Sequence, residues 1–343
     1  MRAVVLHAPG DLRVEERPVP EPAPGQVLVA IHQGGICGSD LHYYRHGGFG
    51  TVRLRQPMIL GHEIAGRVVA LGAGTAGPPI GTLVAVNPST PCGKCSYCRQ
   101  GLPIHCLDMR FLGSAMRMPH VQGGFAEYVV CDAANAVAMP DGVDPAMAAF
   151  AEPLAVCLHA VAQAPVRDAR VLIMGAGPIG LLLLLAVRFA GAGEVMVTDI
   201  LDKPLLSADM LGADRSVNVA THPEALAACE AEKGYFDVVF EAAGQPQTIA
   251  TALRATRPRG TIVLVGQGGA AEMQVSTVVG KEISLRGSFR FASEFAHAVE
   301  LIADGRIDVR PLLSAVIPAA DADGAFRLAA DKSQSIKVQL AFQ

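Results

Sequence analysis

The chain has 343 residues, 51% of them apolar and 17% charged, with a formal net charge of −4. That balance excludes a disordered or fibrous protein, and the length suffices for two domains, each with its own core. Mild acidity without a clustered basic stretch argues against nucleic acid, and against an anionic membrane surface, as a partner.

The opening residues, MRAVVLHAPGDLRVEERP, hold a four-residue apolar run before a turn, so no secretory leader is read there. The longest apolar run, residues 181–187, stops at Arg188 and is too short to span a bilayer, which makes the cytoplasm the expected location. Up to about residue 150 the texture is short strands punctuated by Gly and Pro, at 3–6, 26–32, 63–71, 83–86 and 125–130. Many short strands at near-regular spacing imply a β-rich, barrel-like unit. From about Ala169 strands alternate with helices. Residues 170–174, 194–199, 215–217, 236–241, 260–266 and 282–286 read as buried strands, with helices at 179–190 and 204–211 between them. That rhythm predicts a parallel sheet covered by helices. A last helix is expected at 293–303, and residues 307–343 return to short strands and Pro/Asp-rich turns.

Gly175-Ala176-Gly177-Pro178-Ile179-Gly180 closes the strand VLIM and opens the helix IGLLLLLAVRFA. Glycines there let the backbone approach a pyrophosphate, whose charge sits at the helix N-terminus. Asp199 ends the next strand nineteen residues beyond Gly180, placed to accept hydrogen bonds from ribose hydroxyls and to repel a 2′-phosphate. The alternative is a tight strand–helix turn without a ligand. NAD is the expected cofactor, and the nearby Lys203 leaves NADP open.

Eight cysteines fall at 37, 92, 95, 98, 106, 131, 157 and 229. Cys92, Cys95, Cys98 and Cys106 lie in one loop, PCGKCSYCRQGLPIHC, and in a reducing compartment such a cluster reads as a metal site rather than a disulfide framework. Four thiolates close the tetrahedral sphere of a structural Zn²⁺ and leave no position for substrate. An iron–sulfur cluster and a nucleic-acid-reading zinc finger are the rivals; the loop's few basic residues disfavour the second. Cys131, Cys157 and Cys229 read as small buried apolar residues.

A second constellation is spread out. Cys37 lies in GGICGSDLHYY, His62 and Glu63 in ILGHE, and Glu152 in FAEPLAV. Singly, these read as a buried thiol, a hydrogen-bonded core histidine and a helix-start residue. Together they supply the mixed S/N/O set of a catalytic zinc, which polarises an alcohol or carbonyl oxygen as a Lewis acid.

GGICGSDLHYY, GHE, the spaced cysteines, EPLAV, GAGPIG and GSFRF together resemble the zinc-containing medium-chain alcohol/polyol dehydrogenases over essentially the whole length. DMRFLGSAM, AEKGYFDVVFE, GKEISLRGSFRF and DKSQSIKVQL bring it nearest to members acting on sugar acids. The resemblance implies an α/β protein. A GroES-like catalytic domain is expected at 1–149 and 288–343, with a structural zinc lobe at about 88–108. A Rossmann domain is expected at 150–287, with the active site in the cleft between. It implies two zinc ions per chain: Cys37, His62 and Glu63 for the catalytic one, the four clustered cysteines for the other. Glu152 would complete the catalytic sphere or hold the water there. Ser39 would be the first proton acceptor, His42 an exit to solvent, and Asp40 a hydrogen-bond partner of the metal histidine. The cofactor set would be Gly175, Gly177, Pro178, Ile179, Gly180, Asp199, Val265 and Gly266. Tyr43 and Arg290 match substrate contacts of sorbitol dehydrogenases, although Phe291 stands where those enzymes have Tyr.

The implied reaction is reversible oxidation of a secondary hydroxyl of a sugar acid, L-idonate giving 5-ketogluconate. A carboxylate substrate needs a cation, and Arg110, Arg117 and Arg290 are the candidates, the first two also reading as surface charges. A neutral-polyol dehydrogenase acting on sorbitol, xylitol or a butanediol is the alternative, and a non-catalytic zinc protein a remote one. A small-molecule substrate and a homotetramer or homodimer are the expected partners.

Overall fold

Gln26–Gly35 is the spine of the first of two units in the computed structural model, which describes residues 1–342. It pairs antiparallel with Glu63–Leu71, Tyr128–Asp132 and the C-terminal strand Lys337–Ala341. Leu83–Val86 and Ala136–Ala138 extend the sheet beyond Glu63–Leu71. A second sheet joins Arg2–Ala8, Asp11–Glu16 and Met58–Ile59. The register sets Gly35 opposite both Glu63 and Gln339, so the middle of this sheet brings three distant stretches of chain together. The unit comprises Met1–Pro153, Ala292–Asp331 and the chain from Lys337.

Several helices of this unit go beyond the sequence expectation, and two of them bear on its core and site. Gly38–His46 is short and polar, and Gly47, in the left-handed region (φ 67°), ends it. Ala322–Ala330 lies where only strands and turns were expected. Ala322, Ala325, Phe326 and Ala329 recur at helical spacing and are buried in the core. Gly324 and the Asp-rich start hid that period, yet Asp321 caps the helix by accepting from the Gly324 N–H at 3.3 Å. The helix is the crossover between Leu313–Pro318 and the parallel Lys337–Ala341.

The second unit, Leu154–Phe291 with Lys332–Ile336, is a parallel sheet among the described residues. Its order is Arg215–Asn218, Glu194–Asp199, Arg170–Met174, Phe236–Glu241, Thr256–Leu264 and Ser284–Gly287. The helix Pro178–Phe189 buries Leu181 to Leu184, Ala186 and Val187, each leucine worth about 1.5–3 kcal/mol of burial. Pro246–Ala255 and Val275–Lys281 are further crossover helices. The fifth strand differs from the sequence expectation of 260–266. It starts earlier, accommodating Pro258 where the register shifts, and ends at Leu264, which leaves Val265 and Gly266 in a loop. At the opposite end of the sheet, Arg170 and Arg257 both donate to Asp237. No helix among the described residues is long and apolar enough to cross a membrane.

Candidate active site

Cys37, His62 and Glu63 come together in the first unit: the thiol sulfur, an imidazole nitrogen and a carboxylate oxygen all lie within 4.8 Å of one another. Local backbone explains the convergence. Cys37 is the residue from which the helix Gly38–His46 starts. His62 follows Gly61, whose φ of +92° and contact with Phe125 (a Cβ would come within 2.2 Å of the ring) exclude a side chain. Glu63 begins its strand opposite Gly35, and a Cβ on Gly35 would fall 2.2 Å from the Glu63 carboxylate.

Asp40 is fully buried, and its role differs from the expected hydrogen bond to the metal histidine. The carboxylate stands 3.9 Å from His62 Nδ1, beyond hydrogen-bond length. It accepts instead from the Cys37 N–H at 2.9 Å and the Gly61 N–H at 3.2 Å, bracing the two backbone segments that carry Cys37 and His62. A residue missed by sequence reading is Lys337, which is buried, ion-paired with Glu63, and donates to the Ile36 carbonyl at 3.1 Å. A Lys flanked by Ile336 and Val338 in the strand-like stretch SIKVQL was the available signal.

Glu152, buried at the start of the helix Ala151–Val161, stands outside the three-atom set yet feels the charges of His62, Glu63, Cys37 and Lys337. Burial, against the pull of His62, pushes its carboxyl up to about 8. Burial likewise pushes the Cys37 thiol up to about 12, and the Glu63 charge adds to it. Four acidic groups, Cys37, Asp40, Glu63 and Glu152, thus share an enclosure with the ammonium of Lys337. A divalent cation is the missing charge, and sulfur, nitrogen and oxygen donors are what zinc takes. The residues fit the metal.

The remaining expected contacts divide. Ser39 lies beside Cys37 and favours its thiolate, and His42 is exposed one turn along the same helix, its ring 6.2 Å from Phe49. Tyr43 is buried, with its hydroxyl oxygen accepting from the Ala115 N–H at 3.0 Å. Arg110 and Phe111 point to opposite faces of their two-residue strand. Phe111 packs on the His62 ring at 5.4 Å, whereas Arg110 lines a separate cleft of about 240 Å³ with Asn87, Asp132 and Asn135. Arg117 is ion-paired with Asp108 and also donates to its carbonyl at 3.2 Å. Arg290, in the second unit, lies over the Phe289 ring at 4.8 Å, and Phe291 is buried.

Cys92, Cys95, Cys98 and Cys106 form a second convergent set, all as free thiols. The Cys106 sulfur accepts from the N–H groups of Cys92 (3.1 Å) and Asp108 (3.3 Å), and Cys95 accepts from Cys98 (3.5 Å). Amides aimed at sulfur favour the thiolate, and the Cys98 amide brings Cys95 down to about 6. Cys95 and Cys106 sulfurs stand 4.0 Å apart, close to the roughly 3.8 Å edge of a tetrahedron with 2.3 Å Zn–S bonds.

In the second unit, Gly175 (φ +98°) and Gly177 precede the helix Pro178–Phe189, and a Cβ on Gly180 would sit 1.8 Å from the Gly175 carbonyl. The third glycine therefore lets helix and loop touch, and nothing lies within 4 Å of the space beside Gly177. Ile179 and Gly180 follow Pro178 in the first turn of this helix. Asp199 accepts from the Ala176 N–H (2.7 Å) through one oxygen and from Ile200 (2.7 Å) and Leu201 (3.1 Å) through the other, tying its strand end to the glycine loop. Lys203, the cation that left NADP open, donates to the Gln334 carbonyl.

Two family models match the chain. One, an alcohol dehydrogenase GroES-like domain, covers residues 23–141, and the other, a zinc-binding dehydrogenase, covers residues 178–304. L-idonate 5-dehydrogenase (NAD(P)(+)) of Escherichia coli is 48% identical over 92% of this chain and 91% of its own length. The crystal structure of that enzyme from the same species superposes with a TM-score of 0.95 at 46% identity, covering 99% of this chain and 98% of the other. Sorbitol dehydrogenase of Gallus gallus is 36% identical over 98% and 95% of the two chains. A zinc-binding dehydrogenase of Sinorhizobium meliloti, solved with NADP bound, matches with a TM-score of 0.90 at 30% identity and 99% coverage of both.

Proposed function

Because the chain belongs to the zinc-dependent medium-chain alcohol dehydrogenases, we propose that it catalyses the reversible NAD(P)-dependent oxidation of a sugar-acid secondary hydroxyl, L-idonate to 5-ketogluconate. The observation that carries the chemistry is the buried convergence of Cys37, His62 and Glu63. Residues 1–149 and 288–343 are taken as the catalytic domain and 150–287 as the cofactor domain.

Zinc, when bound, supplies the Lewis acidity that lowers the substrate hydroxyl's pKa, and NAD(P) supplies the hydride acceptor. Cys37, His62 and Glu63 hold the metal, braced through Asp40, with Lys337 fixing the Glu63 carboxylate. Glu152, buried beside these three residues, completes the metal's sphere or holds the water there. Ser39 accepts the proton of the substrate hydroxyl, and His42, one turn along the helix and exposed, passes it to solvent. Cys92, Cys95, Cys98 and Cys106 hold a second zinc that braces their loop. The loop Gly175 to Gly180 takes the pyrophosphate, and the lone pair left on the Asp199 oxygen facing Ala176 takes a ribose hydroxyl. Val265 and Gly266 line the same crevice. The edge strand Ser284–Gly287, exposed throughout beside the exposed Val275 and Val279, supports assembly with a second copy.

Arg290 is the cation we assign to the substrate carboxylate. One observation favours a second reading, oxidation of a neutral polyol: Arg110 lines another cleft and Arg117 is spent on Asp108. NADH formation at equal concentrations of L-idonate, sorbitol and xylitol separates the two. Preference for L-idonate, lost in Cys37→Ser and weakened in Arg290→Ala, is the expected result. Preference for the neutral polyols overturns the sugar-acid assignment and leaves the zinc–NAD chemistry standing.

A further inference from the structure

The strand order of the parallel sheet reverses between Arg170–Met174 and Phe236–Glu241, and open α/β sheets take their ligands outside the carboxyl ends of such a pair. The glycine loop leaves the first of these strands. Glu241 ends the second, in register with Met174.

Glu241 is 2% exposed, a costly place for a carboxylate unless it satisfies donors that nothing else reaches. One of its oxygens accepts from the Ala243 N–H (3.0 Å) and the Gly244 N–H (2.9 Å) and stands 2.7 Å from the Thr248 hydroxyl, whose single proton it shares with the Gln245 carbonyl at 2.6 Å. Its main-chain carbonyl accepts from the Val265 and Gly266 N–H groups at 2.9 and 2.8 Å. The next residue, Ala242, donates to the Met174 carbonyl at 2.9 Å. The loops gathered in this way touch backbone to backbone. A Cβ on Gly175 would lie 3.0 Å from the Ala243 nitrogen, one on Gly266 2.4 Å from the Gly244 nitrogen, and one on Gly268 2.5 Å from the Gly244 carbonyl. The Glu241 carboxylate therefore holds the loop after its own strand, and main-chain bonds of Glu241 and Ala242 join that loop to the one after Thr256–Leu264 and to the start of the phosphate loop.

We infer that Glu241 is a positioning residue for the dinucleotide. It fixes the wall of the crevice that faces the glycine loop, so that the cofactor meets an ordered surface. The inference rests on the NAD(P) reading and assigns Glu241 no contact with the alcohol or the metal. Without the carboxylate, two amides lose their acceptor, the Thr248 hydroxyl keeps only the Gln245 carbonyl, and the loop 242–248 loosens. Each binding event must then order it again, which lowers affinity for the cofactor and leaves the rest of the reaction unchanged.

The test uses the full-length, zinc-loaded protein. NADH is titrated by its fluorescence, without alcohol, against wild type, Glu241→Ala, Glu241→Gln and Thr248→Val. Kd for NADH should weaken about tenfold in Glu241→Ala, the loss expected when buried donors go unpaired. It should weaken about threefold in Glu241→Gln, which keeps an oxygen acceptor, and in Thr248→Val, which removes one donor. KM for NAD should rise in parallel, while KM for the alcohol and the zinc content per chain stay at wild-type values. An unchanged NADH Kd in Glu241→Ala, with only a lower melting temperature, overturns the inference. Should Glu241→Ala fail to fold, unchanged NADH binding in both other variants overturns it equally. Wild-type protein that does not bind NADH would instead sink the cofactor reading.

Discussion

A buried lysine among acids is the least expected residue of this chain. Lys337 reaches Glu63 only because Gly35, opposite Glu63 in the sheet, has no side chain to fill the space. Removing one partner of a buried ion pair strands the other charge, at about 3–5 kcal/mol. Lys337→Met should therefore cost about that much stability in zinc-free protein and less once zinc is bound, because the metal supplies replacement charge. Urea unfolding with and without a chelator checks this; equal losses in both states would refute the compensation. Arg110 carries a different lesson. It reads as a carboxylate-binding cation in sequence, but strand alternation turns it away from the His62 face that Phe111 occupies.

At the scale of elements, the short helix Ser96–Arg99 of the four-cysteine loop buries none of its residues, so the proposed zinc is what would hold the loop's shape. Cys98→Ser should reduce zinc from two to one per chain and lower the melting temperature by several degrees, while activity at 25 °C survives. Elemental analysis and a thermal scan read both, and retention of two zinc ions would refute the site. In the parallel sheet, Asp237 holds the starts of neighbouring strands through Arg170 and Arg257. Burial alone would raise its carboxyl, but the two guanidiniums overcome this and hold it at about 2, below the ordinary 3.8. A depressed folded value stabilises above the unfolded pKa and is lost as the pH falls, here between about 4 and 2. Solvent screening of the half-exposed guanidiniums trims the contribution to about 1–2 kcal/mol. Asp237→Asn should flatten the acid limb of the stability curve over that window, and an unchanged slope would show that the brace is not ionic.

For the whole molecule, the exposed edge strand Ser284–Gly287 presents unpaired backbone groups beside apolar side chains, and a second copy is the proposed cover. A charge there repels pairing, so Leu285→Lys should shift the protein to monomers in size-exclusion chromatography with light scattering. An unchanged mass would place the interface elsewhere.

The cysteine spacing, the glycine loop and the alternation of strands and helices were legible in the sequence because each is local: a few adjacent residues fix a coordination shell, a turn or a period. Helices with weak local signals were not. Gly38–His46 is short and polar, and Ala322–Ala330 is interrupted by Gly324, so both owe their stability to what they pack against. Residue types are legible locally: thiol, imidazole and carboxylate for a metal, glycines for a phosphate. Which of them meet is set by the folded sheet. Cys37, His62, Glu63 and Lys337 lie on segments up to 300 residues apart, joined by sheet register, and Arg110 is excluded by the same pleat that includes Phe111. Such pairings are set by burial and strand geometry summed over the whole sheet, which no local stretch of sequence encodes.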